Sequence, residues 1–269
     1  MRADDHARAT DAVLRSMSRR LTFAAPTDRE NYLIGALFVL TLVALFAPAL
    51  PASAWRTPHF VDTRAWLGVP NAGDVLSNLT FLAMGIWGLV RLRARRDAPL
   101  GASFLFVGLI LTCIGSAFYH LVPDAPQRLV ADRLGMAVAF AGFLGIAASE
   151  RVSVRAGQAV VVLVTAAGLL AAWVARENLT PWVVVQFGGM ALAVALALTR
   201  PRPGALGVRL GAVIFFYVLA KLFELGDVTV FEATGHLVSG HTLKHLAAAL
   251  AAWPVIRTLR PTDSVPSRR

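Results

Sequence analysis

The chain has 269 residues, 57% of them apolar, and a mean hydropathy of +0.62, which excludes an ordinary soluble domain. Its net charge of +10 would point a soluble protein toward nucleic acid, but the arginines cluster between apolar runs, so no nucleic-acid partner is expected. Cys113 is the single cysteine; it excludes an internal disulfide and reads as a small buried hydrophobe.

Residues 1–30 form a polar segment bearing Arg2, Arg8, Arg15, Arg19, Arg20 and Arg29. An apolar span over 31–50 follows, ended by Pro48 and Pro51. Ala52-Ser53-Ala54 resembles a signal-peptidase site, but the charged lead is long for a signal peptide, so a retained anchor is expected. Residues 51–73 make an external loop containing Asp62, Pro70 and Asn71. Seven further apolar segments lie at 74–92, 101–121, 129–149, 157–175, 181–199, 208–225 and 240–257. Each is near the roughly 17–25 residues that cross a bilayer. Their connections carry breakers, among them Asp97-Ala98-Pro99, Pro123-Asp124-Ala125-Pro126, Thr180-Pro181 and Pro201-Arg202-Pro203-Gly204. The loop over 226–239 is the longest after the first external one, and 258–269 is a tail. Trp55, Trp173 and Trp182 read as interfacial anchors. The fold class is all-α, a polytopic helical membrane bundle of eight spans.

The Lys/Arg asymmetry orients the spans. With the N-terminus, the C-terminus and the loops after the second, fourth and sixth spans in the cytoplasm, that side holds 19 of the 26 basic residues. The opposite loops hold only Arg56, Arg64, Arg128 and Arg176. Arg133, Lys221 and Lys244 lie within or at the edges of spans.

This topology brings the unusual residues to one level. The second span starts outside with Asp74, Ser77 and Asn78, and the third ends there with Ser116 and His120. The fourth starts outside with Asp132 and Arg133. The seventh ends with Lys221, Glu224 and Asp227, and the eighth opens on Ser239-Gly240-His241-Thr242-Leu243-Lys244-His245. Ionisable residues inside a membrane are costly and face a cavity or a partner. His241 and His245, four apart, share one helix face, which is metal-ligand spacing. With His120 as third ligand they would make a three-histidine zinc site with an open fourth position, the catalytic type. Glu is absent after His241 and no His-Glu-x-x-His occurs, so a metalloprotease of that kind is not expected.

Plainer readings stand beside these. A single histidine at a helix end can simply sit at the interface, and His59 and His236 read as ordinary loop residues. Lys221 and Glu224, three apart, can neutralise each other. Ser77 and Asn78 can be interhelical hydrogen-bond glue.

Gly-Ser-x-x-x-His at 115–120, Asp132-Arg133-Leu134-x-Met136 and Ser-Gly-His-x-Leu-x-His at 239–245 together resemble the alkaline ceramidases. That family belongs to a superfamily of seven-helix membrane hydrolases that includes adiponectin-receptor-like proteins. Asp74-x-x-Ser77-Asn78-Leu79 and Lys221-Leu222-Phe223-Glu224 resemble its bacterial branch. The resemblance covers about residues 60–257 and implies a seven-helix core, at 74–257, with the first span an addition. It implies zinc on His120, His241 and His245, with Ser116 and Asp132 beside it as catalytic groups. It departs in two places. Gly135 replaces the family's proline before Met136, and the acidic run that supplies calcium ligands is reduced to Asp62, Asn71 and Asp74. Zinc is therefore the expected cofactor and calcium is doubtful.

The implied chemistry is hydrolysis of the amide of a ceramide-like N-acyl lipid. Three-histidine zinc lowers the pKa of bound water to about 7. Asp132 would act as general base and then acid, and Ser116 would donate to the oxyanion or orient the water. Asp74 or Glu224 could accept from a ligand imidazole. The alternative is a non-catalytic seven-helix receptor or transporter with a structural zinc site. The expected location is multi-pass in a membrane, both termini cytoplasmic and the site toward the outside. The sequence names no protein partner.

Overall fold

The structure, a computed structural model, describes residues 25–51, 60–95, 97–123 and 126–259. Residues 1–24, the 52–54 motif, Trp55, His59 and the tail from 260 lie outside the described residues. Helices dominate, with no β-strand among the described residues: the protein is an all-α membrane bundle. The chain divides into two units, Met1–Gly35 and Ala36–Arg269. In the first, Thr27 and Glu30 form a reciprocal capping box. The Thr27 amide donates to the Glu30 carboxylate at 2.8 Å and the Glu30 amide to the Thr27 hydroxyl at 3.4 Å. That pair starts helix α1, Asp28–Phe46.

The helices that follow are α2 (Ala72–Ser77), α3 (Leu79–Arg93), α4 (Leu100–Leu121), α5 (Pro126–Arg151), α6 (Val154–Val174) and the short α7 (Thr180–Val183). A π-helical turn, Val184–Gly188, leads into α8 (Gly189–Leu198). Then come α9 (Leu210–Leu225), α10 (Asp227–Ala233), α11 (Gly240–Leu250) and α12 (Trp253–Thr258). Six helical stretches are long and apolar enough to cross a membrane: Asp28–Phe46, Ala72–Arg93, Leu100–Leu121, Gln127–Arg151, Val154–Val174 and Thr180–Leu198. They coincide with the first six expected spans. Leu163, Leu170, Leu198 and Phe215 are left exposed, as lipid-facing side chains are.

The last two expected spans differ. The segment expected over 208–225 is the 16-residue α9, and the one over 240–257 is broken into α11 and α12. Pro254 explains the break. Its ring conflicts with the carbonyl four residues back, that of Leu250, and α11 ends there. The loop expected over 226–239 contains α10. The second span is interrupted as well. Asn78 Nδ2 and Ser77 Oγ both donate to the Asp74 carbonyl, at 2.7 and 3.0 Å, which competes with the helical ladder and separates α2 from α3.

Two details place the site. Helices α4 and α5 pack closely because they meet at glycines. A Cβ on Gly115 would collide with the Ala131 carbonyl oxygen, and one on Gly135 with the backbone of Leu111 and Thr112. Gly135 is the position where the resembled family carries proline; any Cβ there would force apart the helices that bear His120 and Asp132. At the other end of α5, the buried Glu150 carboxylate accepts from the amides of Leu206, Gly207 and Val208 at 2.8, 2.9 and 3.0 Å. That fixes the loop entering α9 and satisfies a buried charge.

Candidate metal centre

The three histidines expected as ligands come together. His120 closes α4, while His241 and His245 stand one turn apart near the start of α11, and all three are buried. One ring nitrogen from each lies within 4.8 Å of the others, and His120 Nε2 is 3.3 Å from His241 Nε2. Nitrogens bonded at 2.0–2.1 Å to one tetrahedral cation stand about 3.3–3.4 Å apart. The cluster therefore could bind a metal ion, and it is the only such group among the described residues.

The tautomer of His245 fits this use. Ser77 Oγ lies 2.7 Å from His245 Nδ1, and the single Ser77 proton is directed at the Asp74 carbonyl at 3.0 Å. The Ser77 oxygen must then accept from Nδ1–H, which leaves Nε2 as the bare nitrogen. Ser77 thus bridges two helices, the role expected of hydrogen-bond glue. Asn78 does not: its amide donates within its own segment, to Asp74 and Val75, and its Oδ1 is buried with no partner among the described residues.

The start of α11 is heavily tied down, which holds the ligand pair in place. Ser239 caps it, accepting from the Thr242 amide at 3.0 Å. Asp227 accepts from the His241 amide at 2.7 Å and from Val61 at 3.4 Å. The fully buried Asp74 accepts from Thr242 Oγ1 at 2.9 Å and Ser239 Oγ at 3.2 Å. So Asp74 supports the site through α11 and through its own carbonyl; its carboxylate is not the imidazole acceptor anticipated. Glu224 is not that acceptor either. Its two oxygens bind Lys221 at 2.6 Å and Lys244 at 3.0 Å.

Two of the calcium candidates, Asp62 and Asn71, have protein partners of their own. Asp62 is gripped by Arg64 through two contacts of 2.7 Å, a hydrogen bond that holds its carboxyl below the usual range. Asn71 donates its amide to the His120 carbonyl at 2.8 Å.

Ser116 lies one turn before His120 and within hydrogen-bonding reach of Asp132 across the α4–α5 contact. Asp132 stands where two cavities meet. The upper is lined by Phe60, His120, Arg133, Trp182 and His241 among others. The lower is mainly apolar and runs past Leu105, Phe143, Val213 and Ala252, with Ser116 and His245 among its polar lining. Both are bordered by Asp132, Met136, Gln186, Lys221, Glu224 and Lys244.

Several of these residues did not figure in the sequence reading. Phe60 packs edge-on against His120 and His241, with ring centroids 4.7 and 4.5 Å away, and Phe81 against His245 at 5.7 Å. They form an apolar wall around polar rings. Gln186 sits in the π-helical turn, a distortion frequent at functional sites, and a lone glutamine in an apolar span was a readable signal. Trp182 is buried beneath the Arg133 guanidinium, 5.6 Å from its ring centroid, and is no interfacial anchor. Trp173 is exposed and stacks on Arg176. Cys113 is buried and free, and His236 lies exposed on Phe231, apart from the cluster. Comparison with known proteins finds no matching family model, curated protein or solved structure.

Proposed function

We propose that the protein is a zinc-dependent hydrolase of the membrane that cleaves the amide of a ceramide-like N-acyl lipid into a fatty acid and an amine. One observation carries this reading: three histidines converge, and one of them, His245, lines a mainly apolar cavity together with Ser116 and Asp132. The ordered resemblance to the alkaline ceramidases at 115–120, 132–136 and 239–245 supports it.

Zinc held by His120, His241 and His245 would supply Lewis acidity and an acidified water. The chain's own groups do the rest. The apolar cavity takes the acyl chain, so the amide comes to rest beside Asp132. Asp132 accepts a proton from the attacking water as the C–O bond forms, then delivers it to the nitrogen as the C–N bond breaks. Ser116 stands within hydrogen-bonding reach of Asp132. Once Asp132 is protonated it is no longer a strong acceptor, and Ser116 is free to donate to the carbonyl oxygen as charge develops there. Phe60 and Phe81 keep bulk water from the imidazoles.

The test is direct. Purified, zinc-loaded protein in nanodiscs should release fatty acid from at least one of a panel of ceramides, N-acylethanolamines and N-acyl amino acids. If every amide survives, a receptor with a structural ion is the better reading.

The arginine asymmetry supports a topology with both termini in the cytoplasm and the histidines toward the outer side. Reporters fused after residue 269 and within 93–98 should then read cytoplasmic, and one within 226–236 external. A cytoplasmic signal from 226–236 would reverse the orientation.

A further inference from the structure

The junction of the two cavities carries more positive charge than the hydrolysis needs. The upper cavity is lined by three cations, Arg133, Lys221 and Lys244, against two carboxylates, Asp132 and Glu224. Glu224 binds both lysines, at 2.6 and 3.0 Å, and so holds the two ammonium groups side by side. An ammonium has three N–H donors, and each of these spends one on Glu224. Both lysines border both cavities and keep part of their side chains open, 28% for Lys221 and 21% for Lys244. Lys244 directly precedes His245 and lines both cavities together with Asp132, which places it beside the reacting centre. A cation bound by neutral imidazoles would add to the excess. Surplus positive charge at this depth in a membrane protein is costly unless something anionic answers it. An acyl chain and a neutral amide cannot.

We infer that Lys221 and Lys244, bridged by Glu224, form an anion-recognising subsite that selects N-acyl lipids whose amine portion carries a carboxylate, phosphate or sulfonate close to the amide. The inference rests on the amidase reading for its catalytic consequence. The division of the cavities sets the pose. The lower, apolar cavity takes the acyl chain, and the head group is left in the upper cavity, against the two ammonium groups. Glu224 pre-positions both lysines, so their remaining donors are in place when the lipid arrives.

The probe is N-palmitoylglycine, with N-palmitoylethanolamine as its neutral counterpart, offered to protein in phosphatidylcholine nanodiscs. Both binding and fatty-acid release are measured. Wild type should favour the glycine conjugate by about 10-fold or more, the ordinary worth of a charge-assisted hydrogen bond. Lys221→Gln and Lys244→Gln should each collapse that ratio toward one, while Lys221→Arg retains much of it. Arg176→Gln, which changes net charge at an exposed site on Trp173, should leave the ratio alone. Metal content near one per chain shows that each variant is folded. N-palmitoyltaurine and an N-acyl phosphoethanolamine then separate sulfonate and phosphate from carboxylate. Preferential binding that the lysine variants lose, without any hydrolysis, would uphold the subsite and reject the amidase. Equal binding of the two probes by wild type, or a preference untouched in both lysine variants, would overturn the subsite even if amides are cleaved.

Discussion

Replacing His241 or His245 with alanine is expected to strip most of the zinc from the purified protein, and His120→Ala should do the same. The three rings are the only group of ligands among the described residues close enough to share one ion. With a single residue removed, two imidazoles remain in a pocket walled by Phe60 and Phe81, with no carboxylate donated to them. Removing a hydrogen-bond partner behind a ligand costs about 10–100-fold in metal affinity, and removing a ligand should cost more. Ser77→Ala supplies the comparison, because it deletes the acceptor of His245 Nδ1–H and spares all three ligands. Its affinity should fall within that 10–100-fold range. His236→Ala should keep a full complement, since His236 lies exposed against Phe231. Elemental analysis of protein purified at fixed zinc reads all of these. Metal lost from His236→Ala and kept in His120→Ala would mean that the third ligand is misassigned.

Much of this centre was legible because membranes penalise polarity. His241 and His245 had to share a face by helical spacing alone. The charge bias of the loops leads one to expect His120, Ser116 and Asp132 at the same depth. What stayed hidden depended on partners distant in sequence. Nothing in Asp74-x-x-Ser77 reveals that Ser77 meets an imidazole while the Asp74 carboxylate meets Thr242 and Ser239. Glu224 looked available as an imidazole acceptor because its pairing with Lys221 was visible three residues away and its pairing with Lys244, twenty residues on, was not. Lys244 itself obeys the rule that singled out the histidines, and it could have been weighted equally. The helix breaks divide in the same way. Pro254 was readable from its residue type, whereas the break at Asn78 comes from side chains capturing the Asp74 carbonyl.

Asp132→Asn separates chemistry from metal binding and should carry the largest loss of activity. The substitution keeps size and some hydrogen bonding, leaves the three histidines in place and removes the base. General acid–base catalysis contributes about 10²–10⁴-fold, so release of fatty acid from the best N-acyl lipid should fall by that order. Zinc content should stay near one per chain, because Asp132 reaches Ser116 and not the imidazole cluster. Ser116→Ala should cost a comparable or smaller factor, since losing one oxyanion donor typically removes about 10²–10³-fold. In the double variant the two losses should not multiply, because neighbouring residues that act as a unit in one step give non-additive losses. Cys113→Ala and Thr242→Val mark the background, the first a buried packing change on α4 and the second a lost hydrogen bond to Asp74. Both should fall well short of the Asp132 effect. Wild-type turnover by Asp132→Asn, with its zinc retained, would remove Asp132 from the reaction and leave the three-histidine site standing without the proton carrier assigned to it.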